Sequence, residues 1–334
     1  MNEIEIRMLY HTHGGDTIKI GFIGPGKVGV SLGRYFTHRG IKLSGFYGKN
    51  IETTSEAAKI TKSKFYTNIQ DIIKESDILF ITTPDDIISI IDRELSKFDL
   101  TNKSVCHTSG SIKSNVLYNA KDSGALIYSI HPMFAFSNKN TNLKELENIY
   151  FSIESDVLKE PSSIENNTVI NLIKSLGNKF FLRSKETSSI YHLANVFVSN
   201  LTLSLLDIGT SYLKKLGLTE DEALGAIRPL VEGNIGSIFE KGFVNSLTGP
   251  VLRGDVTTIK NHLSVLENKD NELYNILSLN LLKLVAIRDN NSNILKSEQD
   301  GILNIKDNDE YVINNLINNS EKHLEIYKIL GGLD

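Results

Sequence analysis

Ile18-Lys19-Ile20-Gly21-Phe22-Ile23-Gly24-Pro25-Gly26-Lys27-Val28-Gly29 is the stretch that decides the fold. An apolar, β-branched run leads directly into Gly-x-Gly-x-x-Gly, and a helix-compatible segment, Val30 to His38, follows. Strand, tight turn and helix in that order form the unit that builds a dinucleotide site. Gly24 permits the turn, Gly26 lets a pyrophosphate approach the backbone, and Gly29 lets helix and strand pack closely. The phosphates meet the positive end of the helix, with Pro25, Lys27 and Val28 completing the loop around them. A second strand, Lys42 to Tyr47, begins soon afterwards.

Outward from this loop, strand and helix patterns alternate to about Ile130, which predicts a parallel sheet covered on both faces. After the second strand an NAD site carries Asp or Glu for the ribose hydroxyls. This chain has Tyr47-Gly48-Lys49-Asn50 instead. The missing acid and the cation at Lys49 point to a 2′-phosphate and hence to NADP(H), with a merely solvated Lys49 as the competing reading. Asp77 to Thr82 reads as the next buried strand. In the following Thr83-Pro84-Asp85-Asp86, Thr83 is expected to cap a helix, with Pro84 first and Asp86 third in it. Because this loop leaves a strand's carboxyl end, the backbone of Thr83 and Pro84 is also placed at the cofactor.

Two more strands each deliver a histidine. One, around Lys103 to Cys106, ends in His107-Thr108-Ser109-Gly110-Ser111; the other, Ala125 to Ile130, ends in His131-Pro132-Met133-Phe134. Ligands of open α/β sheets bind beyond the carboxyl ends of strands. Each histidine is therefore either a hydrogen-bonded structural residue or a ligand-facing one. Cys106 reads as a small buried apolar residue. Ile149 to Ile153 and Lys179 to Leu182 are further strands, flanking a helix over Ser162 to Leu176 that Gly177 closes.

Strand signals then cease. Thr187 to Leu216 reads as one long helix stopped by Gly217, and Thr219-Glu220-Asp221-Glu222 is a capping box for the next. The rest is helical to about Leu330, with Asn-rich breaks near Asp289 to Asn293 and Asp307 to Asp309. The organisation expected is a flexible extension over 1–16, a Rossmann-type NADP-binding domain over 17–183 and an all-α substrate and dimerisation domain over 184–334.

His192, Asn195 and Ser199, spaced i, i+3 and i+7, share one face of the long helix. A polar stripe in an apolar helix needs partners or a wet cleft. It is either an interhelical hydrogen-bond network or a substrate-facing stripe, with His192 as proton donor and Asn195 as anchor. Farther on, Thr248-Gly249-Pro250-Val251-Leu252-Arg253-Gly254-Asp255 is a turn before an amphipathic helix. Asp255 is expected to cap that helix. Arg253 has no such local duty and suits a substrate carboxylate.

Composition narrows the function classes. A chain of 334 residues can hold two domains, each with its own core. A net charge of -4 makes no electrostatic case for nucleic acid or an anionic membrane. Cys106 is the single cysteine, so no intramolecular disulfide forms, which suits a reducing cytoplasm. No uninterrupted apolar run reaches the ~18–20 residues of a membrane span. His11 and His13 fall in the N-terminal extension, and no metal site is expected there or elsewhere.

Taken together, Gly24 to Gly29, His107-Thr108-Ser109-Gly110, His131-Pro132, Tyr191-His192 with Asn195 and Asn200, and Thr248-Gly249-Pro250-x-x-Arg253-Gly254-Asp255 with His262-Leu263 occur in an order that resembles one family. It is the Rossmann-like NADP oxidoreductases whose C-terminal helical domain has no known function. The resemblance runs from about Ile18 to Leu330. More distantly the chain is similar to pyrroline-5-carboxylate reductases, deazaflavin-dependent NADP reductases and ketopantoate reductases. It implies a 6-phosphogluconate-dehydrogenase-like two-domain plan, an active site between the domains and a homodimer formed through the helical domain. Ketopantoate reductases carry a catalytic Lys four residues before an Asn on the long helix; counting back from Asn195, this chain has Tyr191, with His192 beside it.

The expected activity is NADPH-dependent reduction of a small 2-oxo acid, with 2-dehydropantoate the first substrate to try. Gly24 to Gly29 hold pyrophosphate and Lys49 the 2′-phosphate. His192 or His131 supplies the proton, Asn195, Ser109 and Ser199 hold polar substrate groups, and Arg253 pairs with the carboxylate. A pyrroline-5-carboxylate-type imine reductase and a non-catalytic NADP(H)-binding sensor are the alternatives.

Overall fold

Apolar strands alternating with one-sided helices give a single sheet of eight strands in the computed structural model, which describes residues 18–158, 160–289 and 320–331. The strands are β1 (Lys19–Ile23), β2 (Lys42–Tyr47), β3 (Lys64–Tyr66), β4 (Ile78–Ile81), β5 (Ser104–His107), β6 (Leu126–Pro132), β7 (Tyr150–Glu154) and β8 (Lys179–Leu182). Their order is β3-β2-β1-β4-β5-β6-β7-β8. The extension over 1–16 and the breaks near 289–293 and 307–309 lie, almost entirely, outside the described residues.

β1 and β4 are central and nearly wholly buried, as a two-sided sheet requires of uninterrupted apolar runs. Phe22 stacks on Phe46 and Phe80, with ring centroids 5.2 and 5.5 Å apart, and Phe36 closes edge-on against Phe80. Phe36 comes from α1 (Lys27–His38), whose Val30, Leu32 and Tyr35 are buried in the same core. The opposite face of the sheet packs Ile72 and Ile73 of α2 (Ile69–Glu75) and Ile88 and Leu95 of α3 (Asp85–Leu95).

Parallel pairing stops at β6. β7 runs antiparallel to β6, and β8 is parallel to β7, so the last two strands reverse the sheet. Over the stretch to about Ile130 the strands pair in parallel as expected, and the antiparallel step comes only with β7 beyond it. The chain between β6 and β7 supplies only the four-residue helix Leu143–Leu146, too little for a parallel crossover. β3, three residues long, carries too short a pattern to be read in advance. The helix expected over 162–176 is two helices, Pro161–Glu165 and Thr168–Ser175, because Asn167 caps the second by accepting from the Val169 and Ile170 N–H groups.

The chain divides into two compact units, Met1–Leu206 and Asp207–Asp334. The sheet ends at Leu182. The helix α4 (Ser188–Val198) nonetheless belongs to the first unit, tied to the sheet by Ser188 and Tyr191. The expected single long helix is kinked at Ser199 (φ -118°, ψ -73°), after which α5 (Asn200–Lys214) begins. By length and composition Ser188–Lys214 is nevertheless long and apolar enough to cross a membrane, a property hidden from a search for uninterrupted runs by His192, Asn195 and Asn200.

The second unit is helical. Its core joins Leu247, Val251, Ile259, Leu282, Val285, Ala286, Ile326 and Leu330. Thr219 and Glu222 make the expected capping box, and Asp255 caps Val256–Val265 by accepting from the Thr258 N–H at 3.0 Å. His262 lies inside that helix and bonds Tyr274 Oη through Nδ1 at 2.8 Å.

Candidate active site

The register sets the site. Ile23, Ile81, His107 and Ser129 lie in one row across β1, β4, β5 and β6. The glycine loop, Thr82-Thr83, the 108–111 loop and His131 therefore all leave one edge of the sheet at its carboxyl end.

At β1 the backbone is the working part. Gly24 has φ +111°, a conformation side chains disfavour, and its N–H donates to Tyr47 O at 2.9 Å. A Cβ on Gly29 would stand 2.4 Å from Gly24 O, so the strand-to-helix approach requires glycine there. Thr82 Oγ1 donates to Gly24 O at 2.7 Å and pins the loop from β4, a contact the sequence reading did not foresee. Gly26 is the N-cap of α1 and brings no side-chain acceptor, so the first N–H groups of the helix stay open to an anion.

The β2 end borders this loop: a Cβ on Gly48 would come within 2.5 Å of the Pro25 ring. Lys49 follows, exposed, directly before Asn50, which caps the helix Ile51–Thr61. Thr83 departs from expectation. The helix starts at Asp85 with Pro84 as its N-cap, and Thr83 makes no cap. Its Oγ1 is buried without a hydrogen-bond partner. A buried hydroxyl with spare capacity beside an uncapped helix N-terminus fits a bound phosphate-containing cofactor.

The two strand-end histidines differ. His107 is fully buried, with Nε2 3.2 Å from Lys113 O and Nδ1 unpartnered; burial pushes it down to about 4. It is a structural residue. His131 is half-buried at the sheet edge, its ring over Gly110, where a Cβ would come within 3.0 Å of it. Its Nδ1 lies 2.5 Å from the Tyr191 hydroxyl, with the rings edge-on. Burial, with help from Arg183 and His192, pushes His131 down to about 4 as well.

Tyr191 and Arg183 are the residues that sequence reasoning missed at this end. The Arg183 guanidinium lies over the Tyr191 ring at 5.1 Å. Arg183, only 9% exposed, donates to Ser129 Oγ at 2.7 Å and to Ser188 Oγ. Its Nε has no partner, and burial lowers its pKa. Tyr191 was visible only as the residue standing in a lysine's place. The signal available for Arg183 was a cation directly after an apolar strand.

The remaining expected site residues are distributed as follows. Ser109 Oγ donates to Asp85 Oδ2 at 2.9 Å and accepts from the Ser111 and Ile112 N–H groups, so its hydroxyl is taken up in shaping the loop. Asn195 donates its amide to Tyr191 O of its own helix at 2.8 Å. Ser199 sits at the kink, bonded to Asn200, so the i, i+7 stripe with His192 is broken. His192 is exposed on α4. Arg253, exposed in the second unit, is at the limit of ion pairing with Asp255, 4.0 Å away, and so has the local partner it was expected to lack. No cluster of three or more potential metal ligands occurs among the described residues.

Residues 13–132 match a Rossmann-like domain, and residues 149–281 match a domain of unknown function, DUF2520. No curated protein matches the chain. Among solved structures, a Thermotoga maritima protein is 26% identical and covers 80% of this chain and 98% of its own, with a TM-score of 0.61. A Bacteroides fragilis protein, provisionally assigned as an NADP oxidoreductase, is 21% identical over 79% of this chain and 97% of its own, with a TM-score of 0.59. The pyrroline carboxylate reductase of Plasmodium falciparum, solved with NADP bound, is 15% identical over 81% and 95%, with a TM-score of 0.52. The last two likenesses establish a shared fold.

Proposed function

We propose that this chain, a Rossmann-like domain joined to a DUF2520 domain, is an NADP(H)-dependent reductase of a small 2-oxo acid, with 2-dehydropantoate as the leading substrate. One observation carries the reading: a half-buried imidazole, His131, stands on the same sheet edge as an uncapped Gly24–Gly29 phosphate loop. Binding alone needs the loop. It does not need a hydrogen-bonded imidazole three strands away.

In this reading Gly24, Gly26 and the open N–H groups of α1 hold pyrophosphate, with Thr83 Oγ1 as a further donor. Lys49, beyond the β2 end, meets the 2′-phosphate. The reduced nicotinamide supplies hydride when bound. His131 presents a hydrogen bond to the substrate oxygen that gains charge, with His192 as the other imidazole within reach of that role. The Asn195 carbonyl oxygen remains for a polar substrate group.

Reduction of a cyclic imine such as pyrroline-5-carboxylate is the second reading. It is favoured by the neutral state of His131, since a protonated imine needs less help from a protein acid. NADPH oxidation measured against a panel of 2-oxo acids and cyclic imines separates the readings. Fastest turnover of 2-dehydropantoate supports the first and fastest turnover of the imine the second. Tight NADPH binding with no oxidation across the panel overturns both in favour of a sensor.

We assign the exposed apolar side chains of the second unit, among them Phe239 at 85% and Phe243 at 65%, to a contact with a second copy of the chain. Sedimentation at micromolar concentration gives a dimer on this assignment; a monomer rejects it.

A further inference from the structure

We propose that Tyr191 is the proton source of the reduction, that the His131 imidazole relays its proton to the substrate, and that the buried Arg183 guanidinium holds the phenolate left behind. This rests on the reductase reading.

The geometry is a line of three groups. The Tyr191 hydroxyl meets His131 Nδ1 at 2.5 Å, and the Arg183 guanidinium covers the Tyr191 ring at 5.1 Å. A phenol O–H is a donor and a neutral imidazole nitrogen a good acceptor, so Nδ1 accepts and the ring's proton is on Nε2. A Cβ on Gly110 would stand 3.0 Å from that nitrogen, so the glycine keeps this side of the ring free of a side chain of its own.

His131 cannot carry the proton itself. Held down to about 4, it is neutral at working pH, and an imidazolium would face Arg183 and His192 with Asp85 as the one opposing charge. Something behind it must replace the proton it gives. Tyr191 is the group in hydrogen-bond contact. Burial raises its pKa, keeping it protonated, while Ser152, Asn195 and the charge of Arg183 beside it pull the other way and favour the phenolate. Arg183 is fixed for that duty by Ser129 and Ser188, and Glu154, the carboxylate it feels, is already bonded by the Ser114 N–H and hydroxyl. Phe181 meets the Tyr191 ring edge-on, with centroids 5.9 Å apart, and adds no charge.

The step balances. When bound, the reduced nicotinamide would supply the hydride, and the substrate oxygen, or the nitrogen of a neutral imine, would then need one proton. The Nε2–H proton moves to that atom. The Tyr191 proton moves to Nδ1, so His131 stays neutral in its other tautomer and Tyr191 becomes phenolate. A solvent proton then enters at Nε2 while the Nδ1 proton returns to Tyr191, which restores both the phenol and the starting tautomer.

The test combines the Tyr191→Phe variant with ¹⁵N NMR of the wild-type NADPH complex. In the wild type the His131 signals should report a neutral Nε2–H tautomer from pH 5 to 9. With 2-dehydropantoate or pyrroline-5-carboxylate, Tyr191→Phe should lower kcat by roughly 100-fold or more while NADPH affinity is unchanged. The wild-type rate should hold across neutral pH and fall only in the alkaline range, as the phenol ionises, and the variant should lose that limb. An exposed imidazole acting as the acid would instead lose rate as pH rises through about 6.5. A His131 imidazolium or Nδ1–H tautomer at pH 7, or a Tyr191→Phe kcat within about 3-fold of wild type, overturns the relay and leaves the reductase reading standing. A wild type with the stated tautomer that oxidises NADPH with neither substrate overturns the reductase reading and the relay with it.

Discussion

The two ends of one sheet edge use different parts of the chain. At β1 the groups offered to a ligand are backbone N–H groups at Gly26 and beyond, and the side chains that matter are absent ones, because Gly24 and Gly29 leave no room for a Cβ. At β6 they are side chains gathered from three places: His131 from the strand, Arg183 from just past β8 and Tyr191 from α4. The first end depends on local conformation and the second on packing. A phosphate keeps its charge throughout, so fixed dipoles serve it; a proton transfer needs groups that change state. In keeping with that difference, His131 is half-buried where Lys49 is exposed.

The comparison can be broken or sharpened by experiment. Removing the side chain at the chemical end carries the largest effect: His131→Ala should reduce kcat by roughly 10²–10⁴ with NADPH affinity intact. Equal losses in kcat and in NADPH affinity would show that the two ends are one site in energetic terms.

Acid should act next, through the buried imidazoles. His107 and His131 are both held down to about 4, whereas an unfolded histidine takes its proton near 6.5. Between those values the unfolded chain binds more protons, so stability is full above pH 6.5 and is lost as pH falls toward 4. For fully buried His107 this amounts to about 3 kcal/mol. Urea unfolding of wild type and His107→Leu at pH 7 and pH 4.5 measures it. A wild type whose stability is the same at both pH values would contradict the buried neutral state.

The phosphate end answers to smaller changes. Gly29→Ala forces a Cβ against Gly24 O and should cost about 1–3 kcal/mol of stability, together with most of the NADPH affinity; thermal melts with and without NADPH read both. If affinity survives while stability falls, the loop tolerates more movement than its packing implies. Lys49→Ala should weaken NADPH binding by roughly 10-fold, the worth of one charged hydrogen bond, and leave NADH binding alone. An unaltered preference for NADPH over NADH removes Lys49 from the site.

Legibility followed the range of the forces. The β1 loop was readable because its glycines answer to local conformation, and the capping of Asp255 and Thr219 because caps span three residues. Thr83 was misread for a related reason. The sequence Thr-Pro-Asp-Asp is a good cap, but the helix takes Pro84 as its N-cap and turns the hydroxyl inward. The reversal of β7 depends on which edge of the sheet was free, and no stretch of chain encodes that alone. His131 is readable in the sequence as a strand-end histidine and a candidate proton donor, but its contrast with buried His107 is not. One register position and one partner made the difference.

The sequence by itself determined a strand–glycine loop–helix unit, the absent acid after β2, the end of strand signals after Leu182 and the caps of the helical region, because each of these is set by neighbours within a few residues. Only the tertiary structure decided that Tyr191 faces His131, that Arg183 is buried over that ring, and that the Ser109 hydroxyl is taken up by Asp85. Those contacts join residues 24 to 60 positions apart or fold a guanidinium back onto a helix. Their existence depends on the order of strands in the sheet, which is a property of the whole core.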